Sequence, residues 1–237
     1  MSPPLFPPVL VISGTGTDVG KTVVTAALAA LAADHGLRVA VVKPVQTGEL
    51  PGPAGDLSTV RRLSGVTATY ELARFADPLS PEAAARTAGR PPLDMAGAAA
   101  AIKGVGADLI LVEGAGGLLV RYDPAGSTIA DLATMLAAPV LVVTTPGLGT
   151  LNHTALTLEA VGRRQLACAG VVIGAWPATP GLAERANLTD LAVLAGGPLA
   201  GALPAGAAEL SRGAFLALAR AGLSPAFGGT FRGLDAG

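Results

Sequence analysis

The chain has 237 residues, 51% of them hydrophobic, which suits one large α/β domain with a sizeable core. The 16 Lys and Arg against 17 Asp and Glu leave a formal charge of −1, so no field of one sign is available to hold nucleic acid or an anionic membrane. No run of about 18 consecutive apolar residues marks a membrane span. The N-terminus lacks the basic start of a signal peptide, and the single cysteine, Cys168, fits a reducing compartment, so we expect a cytoplasmic protein.

Short apolar runs of strand length alternate along the chain with longer Ala- and Leu-rich segments of helical length. The predicted strands are PVLVIS (8–13), RVAVVKPV (38–45), ADLILVEGAGG (107–117), APVLVVTTPG (138–147), CAGVVIGAW (168–176) and GGPLAGALP (196–204). The predicted helices include TVVTAALAALAADHG (22–36), STIADLATMLA (127–137) and LNHTALTLEAVGRRQ (151–165). Because the strands are nearly continuous in Val, Ile and Leu, both faces of the sheet should be buried. The predicted fold is α/β: a doubly wound, mainly parallel sheet flanked by helices, in a single domain over residues 1–237 whose last ten residues or so form a loosely held tail.

The first strand runs into GTGTDVGKT (14–22), which resembles a phosphate-binding loop with one residue too many. The usual pattern, G-x-x-x-x-G-K-[ST], would place a glycine where Thr15 stands. The order of strand, glycine-rich turn, Gly-Lys-Thr and helix aims backbone N–H groups at phosphates, as in P-loop NTPases. Lys21 would then reach the outer phosphates and the Thr22 hydroxyl would bind Mg²⁺. Asp18 lies near the tip of the enlarged loop, where its carboxylate needs a metal, a lysine or a substrate ammonium as partner.

Further polar residues follow the other predicted strands, at the sheet edge where ligands bind in such folds. Lys43 comes at the end of the second strand, which Pro44 should terminate, and is either a cation beside the transferring phosphoryl group or a solvated surface charge. Glu113 ends the third strand as a candidate Mg²⁺ acid, with a turn-capping acid as the alternative. Asp56 is the second residue of GDLSTVRRL (55–63), which overlaps the end of a Gly- and Pro-rich loop over residues 49–56 that we place at the active-site edge. The residues alone favour Asp56 as a helix N-cap slightly over a metal ligand.

After the fourth strand, GLGTLNHT (147–154) begins a helix. Free N–H groups at this helix start could hold a substrate carboxylate. An ordinary N-cap role for Thr150 is the alternative, and the two are compatible.

Taken together, GTGTDVGKT, KPVQTG, VEGAGG and LGTLNHT resemble the dethiobiotin synthetases of biotin biosynthesis over almost the whole chain. In that family the lengthened phosphate loop is the normal form. The resemblance implies an ATP-dependent and Mg²⁺-dependent ring closure in a homodimer. CO₂ (from bicarbonate) and one amine of 7,8-diaminononanoate form a carbamate, whose oxygen attacks the γ-phosphate. The second amine then closes the cyclic urea and releases phosphate.

The same resemblance implies roles for individual residues. Lys43 and Lys21 are the catalytic cations, and Thr22, Asp56 and Glu113 surround Mg²⁺. The nucleotide-binding set is Asp18, Val19, Gly20, Lys21, Thr22, Val23, Asp56, Glu113, Gly114, Ala115, Gly116, Gly174, Ala175, Pro204, Ala205 and Gly206. The substrate-binding set is Thr47, Gly149, Thr150, Leu151 and Asn152, the last four contributed across the dimer interface.

One position departs from the family pattern. Family members often carry an Asn after the fifth predicted strand, where this chain has Gly174. An Asn can bond adenine through a donor and an acceptor at once, whereas glycine offers only its backbone. We therefore expect relaxed nucleotide choice, with the backbone near Gly174 and Ala175 and the 204–206 turn left to contact the base.

Two other functions compete with this interpretation. A ParA/MinD-like ATPase switch would carry a lysine early in the phosphate loop, where Thr15 and Gly16 stand. A cobyrinate-type amide-forming synthase would need an ammonia-producing partner or domain with a reactive cysteine, and Cys168 in its apolar strand is a poor candidate.

Overall fold

Seven strands make up the sheet of the computed structural model, which describes residues 5–234. In chain order they are β1 (Val9–Gly14), β2 (Val39–Gln46), β3 (Thr69–Arg74), β4 (Leu109–Gly117), β5 (Val140–Thr144), β6 (Cys168–Trp176) and β7 (Gly201–Pro204). All neighbours pair in parallel, in the order β3-β2-β4-β1-β5-β6-β7. Because β1 is central, the loop that follows it lies beside the loops that follow β4 and β5.

Helices cover both faces of this sheet. They are α1 (Lys21–Asp34), α2 (Asp56–Ser64), α3 (Pro81–Thr87), α4 (Met95–Lys103), α5 (Ile129–Leu136), α6 (Thr150–Arg163), α7 (Leu182–Leu194) and α8 (Arg212–Gly222). One hydrophobic core lies between the sheet and α1, α2 and α8, and the other between the sheet and α3 to α7. Alternate residues of β1 enter the two cores, with Leu10 and Ile12 in the first and Val11 in the second. The predicted doubly wound fold is confirmed, and its sheet is entirely parallel among the described strands.

Two predictions about strands were wrong. Strand β3, TYELAR, was missed because its Thr, Glu and Arg do not form an apolar run, and it lies half-buried at the sheet edge. Pro44 does not end β2, which continues to Gln46. Pairing of β2 with β4 stops at Val42, while pairing with β3 continues to Gln46. A residue without an N–H is tolerated there because one side of the strand no longer has a ladder to complete.

The segment before the C-terminus packs against the rest of the chain. Phe227 and Phe231 are buried, and the Phe231 N–H donates to the Leu223 carbonyl over 2.9 Å. Residues 235–237 of the predicted tail, like residues 1–4, lie outside the described residues. Among residues 5–234, no helix combines the length and the apolar character that a membrane crossing requires.

Candidate active site

The loop between β1 and α1 forms a wide turn over the carboxyl edge of the sheet. Asp18, exposed in this turn, has the left-handed φ of 56°, and Gly20 has a φ of 94° and caps α1. The Thr15 N–H donates to the Val143 carbonyl of β5 over 2.9 Å, which anchors the start of the loop. Val19 turns its side chain into the core, and α1 begins two residues later at Lys21, where the first N–H groups of a helix have no partner within the helix.

A cavity of about 390 Å³ lies under this loop, between the carboxyl ends of β2 and β4. The structure brings most of the predicted phosphate, metal and substrate residues together around it. Those lining the cavity are Asp18, Gly20, Lys21, Thr22, Val23, Lys43, Thr47, Asp56, Glu113, Ala115 and Gly116.

Lys43 is buried at the bottom of this cavity, with 3% of its surface exposed. Its Nζ lies 2.5 Å from Asp56 Oδ2 and 2.8 Å from Glu113 Oε1, and donates to the Gly114 carbonyl over 3.1 Å. Burial opposes the charge, but the two carboxylates outweigh it and raise the pKa of Lys43 above its usual value. The alternative of a solvated surface charge is thus wrong, because β2 runs on past Lys43 and α2 covers it.

Glu113 and Asp56 form an oxygen-rich wall opposite the phosphate loop. Glu113 is 1% exposed, and its Oε1 accepts from the Thr22 hydroxyl over 2.9 Å as well as from Lys43. Its Oε2 has no hydrogen-bond partner within residues 5–234. Burial raises the pKa of Glu113; burial would do the same to Asp56, but Lys43 holds the pKa of Asp56 below its usual value. Two carboxylates, a hydroxyl and one buried oxygen without a partner suit the hard-oxygen preference of Mg²⁺.

Asp56 does not cap α2, so the N-cap interpretation of this residue was wrong. Gly55 occupies the cap position with a φ of 114°, and Asp56 is the first helical residue. The Asp56 N–H donates to Gln46 Oε1 over 3.0 Å, while the carboxylate is taken by Lys43. Because Gln46 satisfies the backbone, the Asp56 side chain is free to face the cavity.

Arg74 on β3 holds the loop that delivers Asp56, and sequence reasoning missed it. Its guanidinium binds Glu71 through Nε (2.6 Å) and Nη2 (2.7 Å). The same group donates to the carbonyls of Leu50 and Ala54, each over 2.9 Å. In the sequence the only signal was the opposite charges of Glu71 and Arg74, which say nothing about a loop twenty residues away.

Lys21 is folded back onto its own loop. Its Nζ donates to the Gly16 carbonyl over 2.7 Å, and the residue is largely buried. Burial and the nearby charge of Lys43 lower the pKa of Lys21 to about 8. The two lysines of the cavity therefore differ: Lys43 is held by two carboxylates, whereas the hydrogen bond that Lys21 makes within residues 5–234 goes to a neutral carbonyl.

A second cavity of about 540 Å³, which we call the side groove, adjoins the first. The two share Thr17, Asp18, Thr47, Ala115 and Gly116. Away from this junction the groove is lined mostly by apolar residues: Pro78, Leu79, Pro81 and Val120, with Ser80. It is therefore polar near Asp18 and apolar along its length.

The predicted carboxylate-binding segment at the start of α6 lies elsewhere. Gly149 caps α6 with a φ of 88°, so Thr150 is not the cap. The Thr150 hydroxyl is buried and donates to the Thr145 carbonyl over 2.5 Å. Gly149, Thr150, Leu151 and Asn152 line neither of the two cavities in this single chain. The preceding residue, Leu148, is 91% exposed.

The predicted base-contacting residues lie on the other side of the phosphate loop. The Ala205 N–H donates to the Trp176 carbonyl over 2.7 Å, which brings the 204–206 turn to the end of β6. Gly174 packs against Gly20 of the phosphate loop. Cys168 is exposed at the opposite end of β6.

Solved structures similar to this chain share its fold. The MinC:MinD cell division protein complex of Aquifex aeolicus matches with a TM-score of 0.51 and 14% identity, covering 84% of this chain and 81% of that one. The chloroplast FtsY of Physcomitrella patens matches with a TM-score of 0.50 and 18% identity, covering 90% of this chain and 65% of that one. At such identities the likeness concerns the fold, that of the P-loop NTPases.

Sequence relatives are far more similar. A family model described as an AAA domain matches residues 9–208. ATP-dependent dethiobiotin synthetase BioD of Parafrankia sp. (strain EAN1pec) is 62% identical over 229 residues, 96% of each chain. The proteins of that name from Rhodococcus jostii (strain RHA1; 56% identity, 89% of this chain and 92% of that one) and Streptomyces coelicolor (54% identity, 94% and 95%) are also similar. Identity at this level over nearly the full length shows that the chain belongs to the ATP-dependent dethiobiotin synthetases.

Proposed function

We propose that this protein closes a cyclic urea on 7,8-diaminononanoate, using CO₂ and a nucleoside triphosphate with Mg²⁺, to give dethiobiotin, nucleoside diphosphate and phosphate. The observation that carries the proposal is Lys43, a buried cation held by two carboxylates 2.5 and 2.8 Å away beneath a phosphate loop. Membership of the ATP-dependent dethiobiotin synthetases supplies the substrates that such a site would serve.

The chemistry balances without a protein nucleophile. One amine of the diamine adds to CO₂ and loses a proton, giving a carbamate. A carbamate oxygen attacks the γ-phosphorus and displaces the nucleoside diphosphate, leaving a carbamic–phosphoric anhydride. The second amine attacks the anhydride carbon, loses its proton and expels phosphate. What the enzyme must supply is positioning and neutralisation of charge.

The two lysines divide the task of neutralising charge. In this proposal Lys43 contacts the carbamate and the γ-phosphate, where negative charge spreads over oxygens during transfer. Lys21 releases the Gly16 carbonyl and binds the outer phosphates. In this proposal the N–H groups at the start of α1 donate to the same phosphates.

Thr22, Asp56 and Glu113 would hold Mg²⁺. Their oxygens meet at one wall of the cavity, and the Glu113 Oε2 without a partner offers a ready ligand position. A bound Mg²⁺ would neutralise phosphate oxygens during transfer. Lys43 binds the same two carboxylates, Asp56 and Glu113, so its ammonium lies beside the proposed metal site.

The side groove suits the diamine. Its apolar length between Pro78 and Val120 matches an alkyl chain, and Asp18 and Thr47 at the junction can receive the two amines. In this proposal the carboxylate at the far end of the substrate meets a partner outside this chain, because the predicted partner residues, Gly149–Asn152, line neither cavity. We propose that the α6 start of a second copy meets it across a homodimer interface, with the exposed Leu148 beside that contact.

Product analysis tests the proposal. The protein is incubated with 7,8-diaminononanoate, ¹³C-bicarbonate, Mg²⁺ and ATP, and the products are resolved by mass spectrometry. We expect dethiobiotin one mass unit heavier than with unlabelled bicarbonate, and phosphate release only when both the diamine and bicarbonate are present. Phosphate release that responds instead to DNA or lipid vesicles would favour the ParA/MinD-like switch, and an amide product with ammonia would favour the cobyrinate-type synthase.

A further inference from the structure

Gly174, at the end of β6, touches the phosphate loop through its backbone. A Cβ added at Gly174 would overlap the Val19 carbonyl oxygen and lie 3.0 Å from the Gly20 Cα. The contact is reciprocal, because a Cβ at Gly20 would lie 2.6 Å from the Gly174 carbonyl oxygen. At the loop position seen in this chain, the two glycines therefore face each other with no room for a side chain on either.

This contact lies at the junction between the phosphate loop and α1. Val19 is buried in the core, Gly20 caps α1, and the next two residues are Lys21 and Thr22. A shift of Val19 and Gly20 away from β6 would carry the phosphate-facing N–H groups and the Lys21 ammonium with it. Not every glycine of the loop is so constrained: a Cβ at Gly16 would meet its nearest neighbour, Val19 Cγ1, only at 4.0 Å.

We propose that Gly174 is a positioning residue for phosphate binding: the missing side chain lets the phosphate loop rest on the tip of β6. The inference rests on the proposed nucleotide-dependent function and deepens it. The glycine at this position therefore affects the position of the phosphate loop as well as the contacts available to the base. A side chain restored at this position displaces Val19 and Gly20, and so weakens phosphate binding whatever the base.

The test compares ligands with and without a base. Dissociation constants for inorganic tripolyphosphate, ATP and CTP, each with Mg²⁺, are measured by calorimetry for wild type, Gly174→Ala and Gly174→Asn. We expect both variants to bind all three ligands about tenfold to a hundredfold more weakly, as a displaced binding group should. The ratio of the ATP constant to the CTP constant should stay within about threefold of wild type, about 0.6 kcal/mol. Unchanged tripolyphosphate binding in Gly174→Ala, or an Asn variant that gains ATP affinity alone, would overturn the proposal.

Two further variants distinguish displacement of the phosphate loop from strain in the hydrophobic core. Gly213→Ala, in α8 with open space around it, controls for adding a methyl group and should bind like wild type. The Gly174 methyl would also lie 2.8 Å from Val143 Cγ1 in the core. The double variant Val143→Ala with Gly174→Ala relieves that overlap and leaves the one with the loop, so it should fold yet still bind tripolyphosphate weakly. Recovery of wild-type binding in the double variant would mean that core strain, not loop position, caused the effect. Because no diamine is used, a failure here leaves the proposed ring closure to be judged by its own product assay.

Discussion

The two sides of the phosphate loop are built differently. On the β2 and β4 side, charged side chains converge, with Lys43 between Asp56 and Glu113. On the β6 and β7 side, backbone meets backbone, with Gly174 against Gly20 and Ala205 bonded to Trp176. Buried charges are stable only when they neutralise one another at short distances, whereas a contact between backbones requires only that the two surfaces fit together.

This difference predicts different consequences of mutation. A change on the charged side removes a group that acts on the reacting atoms and leaves a buried charge without its partner. A change on the backbone side shifts a binding surface without altering any charge. Catalytic rate should therefore be most sensitive on the first side, and nucleotide binding on the second.

The largest effect should come from Lys43→Ala. We expect turnover to fall by about a hundredfold or more, the scale for a lost electrostatic stabiliser, while the nucleotide dissociation constant stays close to wild type. Single-turnover rates and calorimetric binding measure the two separately. Lys103→Ala, an exposed lysine of α4, is the matched control. Near-native turnover in Lys43→Ala would remove this residue from the mechanism.

Lys21→Ala should differ in kind, losing phosphate binding and turnover together. The pH dependence of binding offers a finer test than the deletion. In the free protein Lys21 has a pKa of about 8, and bound phosphate should raise this pKa. Above about pH 8 the free protein has therefore lost the Lys21 proton, and it must take up a proton to form the complex. The nucleotide dissociation constant should thus be flat below about pH 8 and rise by up to about tenfold per pH unit above it. Lys21→Arg should abolish the slope, and a flat wild-type profile up to about pH 10 would contradict the assignment.

Glu113→Gln should raise the Mg²⁺ concentration for half-maximal rate by about tenfold, because a neutral amide oxygen replaces an anionic ligand. Glu113 is buried against Lys43, so the melting temperature without Mg²⁺ should also fall, but Asp56 still neutralises Lys43 and the variant should keep its fold. An Mg²⁺ titration at saturating nucleotide measures the effect, with the exposed Glu209→Gln as control. An unchanged titration would show that Glu113 is only a partner of Lys43 and Thr22.

Arg74→Met should have a smaller, indirect effect. It keeps the length of the side chain but removes the donors to Leu50 and Ala54, so the loop before Asp56 loosens. We expect the half-saturating Mg²⁺ concentration to rise several-fold, by roughly threefold to tenfold, with a smaller change in maximal rate. Arg74→Lys should rescue only in part, because lysine lacks the planar fork. Arg86→Met, which removes an exposed helical ion pair with Glu82, is the control; equal effects in the two variants would discount the loop.

The site residues that could be predicted from the sequence are those whose place follows from the order of strands and loops along the chain. Lys21 and Thr22 come after the loop that follows β1, and Glu113 lies near the carboxyl end of β4, so the sheet edge brings them together whatever the rest of the chain does. Asp56 was ambiguous because its role depends on Gln46 satisfying its N–H from another strand. Arg74 could not be identified for two reasons. Its strand, β3, lacks an apolar run, and the loop that it holds lies about twenty residues earlier in the sequence.

The smallest expected effect concerns the base, and it tests the backbone side directly. Phosphate, lysine and metal contacts are the same for every nucleoside triphosphate, so most of the binding energy should survive a change of base. What remains for selection is backbone at Gly174 and Ala175 and the 204–206 turn, where a side-chain pair worth about 1–3 kcal/mol of discrimination is lacking. We expect kcat/KM for CTP, GTP and UTP to lie within about tenfold of that for ATP, about 1.4 kcal/mol. Competition among the four triphosphates measures this ratio. A preference for ATP of a hundredfold or more would show that backbone groups alone select adenine here, and that the backbone side of the site is as exacting as the charged one.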